Sequence, residues 1–176
     1  MKFDKSIAQT SVPSPLGNIL IAATDRGLAG LWFTENQRYL PFDRAGPVTW
    51  PEVPEHPVLK QVSGQLGEYF AGRRCHFDVP LDLACGTEFQ QSVWQALLDI
   101  APGQTISYGE VSRRIGKPAA VRAVGGAVGR NPVSIIVPCH RVMGSNGSLT
   151  GYGGGLDRKT ALLRLEGALA PEEALS

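Results

Sequence analysis

The stretch ISYGEVSRRIGKPAAVRAVGGAVG, residues 106–129, decides the fold of the carboxyl-terminal half of this chain. Ser107 and Glu110 have the spacing of a capping box at the start of a short helix, and Gly116 suits the end of that helix. Pro118 suits the first position of a second helix, which runs to the end of the stretch. Two helices joined by a tight turn are typical of a helix-turn-helix, whose second helix meets DNA.

The second predicted helix carries almost no bulk, although each Gly in a helix interior costs about 1 kcal/mol relative to Ala. Another backbone must therefore come close to it, either from a second element of the protein or from a DNA groove. In the second interpretation Arg122, the one long side chain in its middle, reaches into the duplex. The candidate DNA-contacting residues of this half are Tyr108, Arg122, Ala123, Gly125, Gly126 and Arg130.

The positive charge of the chain is concentrated around this stretch. The 176 residues include 17 basic and 16 acidic ones, so the formal net charge is only +1. Residues 111–156, however, contain six basic residues and no Asp or Glu, whereas residues 1–85 contain eight basic and nine acidic ones. A charge run is usually a solvated surface, but the complete lack of acids favours a polyanionic partner.

The segment VPCHRV, residues 137–142, places a thiol beside an imidazole and a guanidinium. The apolar run 133–137 before it predicts a buried strand, and Pro138 fixes the backbone before Cys139. A free thiol is only a few per cent thiolate at neutral pH, and a nearby base such as His140 raises its reactivity. The pattern favours covalent chemistry at sulfur over a buried structural thiol. Two alternatives to a protein that reacts with DNA through this thiol are a cysteine hydrolase and a non-catalytic sensor of DNA damage.

The amino-terminal half has a different pattern, of short strands and turns. The segments IAQTSV, NILIAAT and LAGLWF, separated by turn residues, predict an antiparallel meander. A Pro-rich loop over residues 41–57 follows, and then an amphipathic helix with Val58, Val62, Leu66 and Phe70 on one face. We place a domain boundary after residue 85, which divides the chain into residues 1–85 and 86–176.

The carboxyl-terminal half begins and ends with a helix. Thr87 and Gln90 form a capping-box pattern before the first of these, and the last one stops at Gly167. Glu166 therefore lies at a helix C-terminus, where the helix dipole disfavours a carboxylate. It needs a cationic or hydrogen-bonding partner, for which His140 is a candidate.

Four segments together resemble the O6-alkylguanine-DNA alkyltransferases, most of all the bacterial Ogt-type branch. They are ISYGEV, RAVGGAVGRNP, NPVSIIVPCHRV and TGYGGGLDRKTALLRLEG, and they occur in the family's order between residues 89 and 167. The resemblance implies an α+β chain. Its amino-terminal α/β domain would be ribonuclease H-like with an antiparallel sheet, and its helical, winged helix-turn-helix domain would carry the active-site Cys.

The resemblance also implies the reaction and the roles of the residues. The protein would flip O6-alkylguanine out of double-stranded DNA from the minor groove and transfer the alkyl group irreversibly to Cys139, once per molecule. His140 would activate the thiol through a water, with Glu166 orienting it and Asn131 acting as the hinge to the helix-turn-helix. Tyr108 and Lys159 would donate to the purine. The substrate pocket would include Ser134, Val142, Tyr152 and Gly153.

Two positions depart from the family pattern. Gly153 stands where many relatives have Ser, and Ser134 where some have Pro, so we expect a roomier pocket that accepts larger alkyl groups or O4-alkylthymine. We expect no cofactor and no metal, because Cys75, His76 and Cys85 lack a usual ligand spacing. Three cysteines without a paired framework, and no apolar run of about 18 residues, favour the cytoplasm and no membrane contact. We also expect a monomer.

Overall fold

A computed structural model describes residues 2–37, 50–149 and 151–170. Residues 41–49 of the predicted Pro-rich loop lie outside the described residues, as does Thr150 of the Gly-rich segment MGSNGSLTGYGGG, residues 143–155. Strands β1 (Ala8–Val12), β2 (Ile19–Thr24) and β3 (Gly27–Phe33) form an antiparallel sheet in the order β1-β2-β3. The predicted meander is therefore confirmed.

The sheet is covered on both faces. Every residue of β2 and β3 is buried. Helix α1 (Pro57–Phe70) packs against the face that belongs to the main core, while Trp32 and Leu20 join Phe3 and Trp50 in a smaller cluster. The predicted helix is thus confirmed, but its buried side includes Leu59, Gln65 and Tyr69 in addition to two of the predicted residues.

The carboxyl-terminal half is helical, as predicted. It contains α2 (Glu88–Leu97), α3 (Tyr108–Arg114), α4 (Val121–Gly129) and α5 (Leu156–Leu165). Strands β4 (Ile106–Ser107) and β5 (Val142–Met143) pair in parallel. The α+β class is confirmed, and the winged form of the helix-turn-helix stays a prediction.

The helix caps agree with the sequence in part. Thr87 and Gln90 form the predicted capping box of α2. Ser107 caps α3 by accepting from the Glu110 N–H, but the Glu110 side chain binds Arg113 and Arg114 instead of completing the box. Pro118 does not start α4, which begins at Val121. The Ala120 N–H donates to the Lys117 carbonyl, so this segment is a turn between the two helices.

The run 133–137 is a turn, so the prediction of a buried strand was wrong. Only Val133 pairs with the sheet, through a single parallel bridge to Leu31 of β3. Ile135 has a φ of 71°, a left-handed conformation that a strand does not allow. The Val137 N–H donates back to the Val133 carbonyl at 3.0 Å, which closes the turn.

The described part of the chain contains no helix that is long and apolar enough to cross a membrane.

Candidate active site

Cys139 lies in a single 3-10 turn, Cys139–Arg141, which Pro138 separates from the 133–137 turn. The turn is held by Asn131, the second residue after α4. Its Nδ2 donates to the Val137 carbonyl at 2.7 Å, and its Oδ1 accepts from the Val133 N–H at 3.0 Å. Asn131 is 6% exposed, so these bonds are not exchanged with solvent. The side chain predicted as a hinge therefore joins the end of α4 to the segment that carries the thiol.

The thiol is buried and protonated at rest. Cys139 is 5% exposed, and burial raises its pKa to about 11, although Asn131 and the charge of Lys159 act in the opposite direction. A neutral thiol is a poor nucleophile, so the site must remove its proton during the reaction.

His140 and Glu166 form the buried pair that could do this. Their Nε2 and Oε1 atoms are 2.9 Å apart, and the two side chains are 0% and 1% exposed. Burial lowers the pKa of His140, against the influence of Glu166, so the ring is neutral at neutral pH. Glu166 is the acceptor and Nε2 therefore carries the proton. The lone pair is then on Nδ1, which has no hydrogen-bond partner among the described residues.

Glu166 remains ionised because of its donors. Burial raises the pKa of its carboxyl, but hydrogen bonds from Arg141 and His140 outweigh burial and lower it to about 2. Arg141 donates to both oxygens, at 2.9 and 2.8 Å, and Tyr69 of α1 donates to Oε2 at 2.8 Å. Sequence reasoning gave no role to Arg141 or Tyr69, because nothing local links them to a carboxylate so far along the chain.

A pocket of about 420 Å³ brings together residues of α3, α4 and the Gly-rich segment. Its volume is in the range of small-ligand sites. Five of the predicted site residues line it, while Cys139, Ser134 and Val142 are buried and do not. The lining residues are Asn36, Tyr108, Gly125, Gly126, Gly129, Gly151, Tyr152, Gly153, Gly155 and Leu156.

One donor, Tyr108, joins two walls of this pocket, and a second, Lys159, connects the pocket to the segment beside the thiol. The Tyr108 hydroxyl donates to the Gly151 carbonyl at 3.3 Å. Lys159 is fully buried, and its Nζ donates to the Val142 carbonyl at 2.6 Å and the Gly151 carbonyl at 3.5 Å. Burial lowers the pKa of Lys159 to about 8, although Cys139 acts in the other direction.

The small residues of α4 are explained by the space around them. Helix α4 buries Val124, Ala127 and Val128, and exposes Arg122, Ala123 and Gly126. A Cβ built on Gly125 or Gly126 would meet no atom of another part of the described chain within 4 Å. Close packing within the protein is therefore not the reason for these two glycines. The exposed face of α4 is free to approach another molecule.

Among residues 2–37, 50–149 and 151–170, no three His, Cys, Asp or Glu side chains lie together as a metal site would require.

A helical unit with an open, glycine-rich face and a buried thiol beside a His–Glu pair defines a protein that reacts with DNA through cysteine. Comparison with known proteins agrees. Residues 88–168 match the DNA binding domain of 6-O-methylguanine DNA methyltransferase, and residues 7–83 match its ribonuclease-like domain. The chain belongs to the 6-O-methylguanine DNA methyltransferase family.

Similar proteins occur in mycobacteria and archaea. The methylated-DNA--protein-cysteine methyltransferase of Mycobacterium leprae is 51% identical over 156 residues, which is 89% of this chain and 90% of that protein. That of Methanosarcina acetivorans is 49% identical over 88% of this chain and 95% of its own length. The crystal structure of Mycobacterium tuberculosis OGT in complex with DNA has 46% identity and a TM-score of 0.81, covering 92% of this chain and 93% of that one.

Proposed function

We propose that this chain repairs DNA by direct reversal, moving an alkyl group from O6 of guanine to its own Cys139 in one irreversible turnover. The observation that carries the proposal is the arrangement of the site. A buried thiol adjoins a neutral His140 that Glu166 orients. Lys159 donates both to the Val142 carbonyl beside this segment and to the Gly151 carbonyl of a pocket whose wall includes the open glycines of α4. The names of the relatives support the same reaction.

The reaction begins with base flipping. A guanine stacked in duplex DNA hides its O6 substituent, so the protein extrudes the nucleotide at a cost of a few kcal/mol. Arg122 lies exposed on α4 and fills the space that the base leaves. Ala123, Gly125 and Gly126 allow the minor groove to approach the helix, and Arg130 neutralises phosphate.

The transfer step is a displacement at carbon. The Cys139 proton passes through a water to Nδ1 of His140, and the imidazolium is stabilised by Glu166. Sulfur forms a bond to the alkyl carbon as the bond from that carbon to O6 breaks, and the electron pair goes to the guanine ring. Tyr108 and Lys159 donate to the purine as this charge develops, and guanine finally takes up the proton. The thioether at Cys139 is inert, so each molecule acts once.

The residues around the flipped base determine which adducts fit into the pocket. Tyr152 forms a wall of the pocket, the Val142 and Cys139 carbonyls accept from the exocyclic amine, and Gly153 offers its backbone N–H to O6. Because Gly153 and Ser134 are small, we propose that the protein accepts larger alkyl groups than methyl, and O4-alkylthymine. Competition between methyl and benzyl adducts measures this, and a strong preference for methyl alone would contradict it.

We also propose that residues 1–85 and 86–176 are the two domains, and that the protein acts as a monomer in the cytoplasm. The two family matches end at residue 83 and begin at residue 88, which supports this boundary. All the catalytic groups come from one chain, so no second subunit is required. A reducing compartment keeps the Cys139 thiol free for transfer.

The test is incubation with duplex DNA that contains O6-methylguanine with a labelled methyl group. We expect one label per protein, located by peptide mapping at Cys139, and none in Cys139→Ser. Cys75→Ser, which removes an exposed thiol, is the matched control and should react normally. Binding without transfer by the wild type would indicate a damage sensor, and neither binding nor transfer would indicate a different enzyme.

A further inference from the structure

The Glu166 carboxylate receives a hydrogen bond from the opposite half of the chain. The Tyr69 hydroxyl, on α1, donates to Oε2 at 2.8 Å across 97 residues of sequence. Tyr69 is 1% exposed and the Glu166 side chain is also 1% exposed. A hydrogen bond to a charged group in such a site contributes more than one in water.

Each oxygen of the Glu166 carboxylate accepts two hydrogen bonds. Oε1 accepts from His140 Nε2 and Arg141 Nε, each at 2.9 Å. Oε2 accepts from Arg141 Nη2 and Tyr69, each at 2.8 Å. Three of these donors belong to the 3-10 turn that carries Cys139, and the fourth fixes the carboxylate to α1.

We propose that Tyr69 is a positioning residue for alkyl transfer. It holds the Glu166 carboxylate in the plane of the His140 ring and within hydrogen-bond distance of Nε2. This gives the amino-terminal half a direct part in the reaction, which rests on the function proposed above. Without the hydroxyl, the remaining hydrogen bonds described for the Glu166 carboxylate come from the turn that Glu166 must itself orient.

The hydroxyl is a donor at every working pH. Burial, together with the neighbouring charge of Glu166, raises the pKa of Tyr69 far above its ordinary value. Its O–H dipole presents a positive end to Glu166 and so opposes a positive charge on His140. The other groups that act on His140 are Glu166, Arg141 and Lys159, and Cys139 precedes it in the chain. Removing the hydroxyl should therefore raise the pKa of His140 while the other charges stay in place.

Tyr69→Phe removes only the hydroxyl, and Val62→Ala is the matched control. Val62 is fully buried on the same helix, and its side chain has no polar group that could bind Glu166. The chain has three His, so the imidazole signals of His56, His76 and His140 can be resolved by NMR and followed against pH. The second measurement is the rate of methyl transfer to Cys139 across the same pH range.

We expect Tyr69→Phe to raise the pKa of His140 and to slow transfer on the acidic side by about threefold, which is the effect of one hydrogen bond. Val62→Ala should lower the melting temperature and leave the His140 titration unchanged. An unchanged titration in Tyr69→Phe, with lost stability alone, overturns the proposal. If the wild type transfers no methyl group, the proposed function fails, and the NMR titration still decides whether Tyr69 controls His140.

Discussion

The guanidinium of Arg141 donates to both carboxylate oxygens of Glu166, at 2.9 Å from Nε to Oε1 and 2.8 Å from Nη2 to Oε2. The two side chains are 7% and 1% exposed. This planar, two-bond contact fixes the carboxylate more strictly than a single ion pair would. Arg141 also donates to the Ile100 carbonyl at 2.6 Å, which connects the pair to the segment after α2.

Glu166→Gln should destabilise the protein by about 3 kcal/mol at neutral pH, because it leaves the Arg141 charge buried without a counterion. The pKa of Glu166 is lowered from 4.5 to about 2, so the unfolded chain binds the proton more readily than the folded one. Stability from this carboxylate is therefore present above pH 4.5 and is lost as the pH falls toward 2. Urea unfolding at several pH values should show the free energies of unfolding of the wild type and of Glu166→Gln converging in acid. A constant difference between them would contradict this.

Asn131→Ala should release the turn that presents Cys139. The substitution removes the bonds to Val133 and Val137 and leaves the buried Val133 N–H unpaired, while the Val137 carbonyl keeps the Cys139 N–H, at a total cost of about 2–4 kcal/mol. We expect Cys139 to react faster with a thiol reagent and alkyl transfer to slow at the same time. The measurement uses a background without Cys75 and Cys85, and slow labelling with normal transfer would show that the turn does not depend on Asn131.

A side chain in place of Gly126 should be compatible with folding but should weaken DNA binding. Gly126→Ala should raise stability by about 1 kcal/mol through helix propensity, since its Cβ meets no atom of another part of the described chain. Gly126→Leu should weaken binding of duplex DNA about tenfold or more by blocking close approach. Gly64 on α1 is exposed and equally uncrowded, so Gly64→Leu is the control and should bind DNA normally. Equal affinities for both Leu variants would count against the DNA-facing assignment of α4.

Arg122→Ala should slow repair of duplex DNA and spare reaction with the free base O6-benzylguanine, which needs no flipping. Its side chain is exposed, so the fold should not change. We expect about a tenfold loss on the duplex, because Arg122 offsets part of the cost of unstacking the base. Stopped-flow rates on the two substrates separate the roles, and equal losses on both would assign Arg122 to the pocket.

Arg158→Met should loosen the pocket wall. Arg158 donates to the carbonyls of Leu16 and Glu35 in the amino-terminal half and to Gly154 beside the pocket, and it lies 4.3 Å above the Phe33 ring. Loss of these contacts should lower stability by about 1 kcal/mol for each hydrogen bond, and the looser pocket wall should slow transfer about tenfold.

Arg164 is the matched control for this variant, because it is exposed on the same helix and contacts only the nearby Ala170 carbonyl among the hydrogen bonds described. Arg164→Met should react at the wild-type rate. Equal rates for both variants would show that the contacts of Arg158 do not shape the pocket.

The local sequence was sufficient where turn or cap residues mark the ends of an element. The meander follows from its short apolar segments and the turn residues between them, and the cap of α2 follows from Thr87 and Gln90. The local sequence was insufficient for the face of α1, where Tyr69 turns inward because α1 contacts Glu166 as well as the sheet. Such a contact depends on the packing of distant segments and leaves no local pattern.

The thiol segment shows the same limit. The run 133–137 is apolar enough to be a buried strand, but a short apolar run alone does not distinguish a strand from another buried segment such as this turn. Asn131 decides the outcome, since its side chain binds the Val133 and Val137 backbone and so takes the groups that a neighbouring strand would use. The pairing of His140 with Glu166 was predicted, but the contributions of Arg141 and Tyr69 needed the folded chain.

The burial of Cys139 has a consequence for the lifetime of the protein in the cell. With a pKa of about 11, on the order of one molecule in ten thousand carries a thiolate at neutral pH. Oxidants and stray electrophiles attack thiolates, so we expect the resting Cys139 to react slowly with them. A protein that can act once is thereby kept in working condition until damaged DNA reaches it.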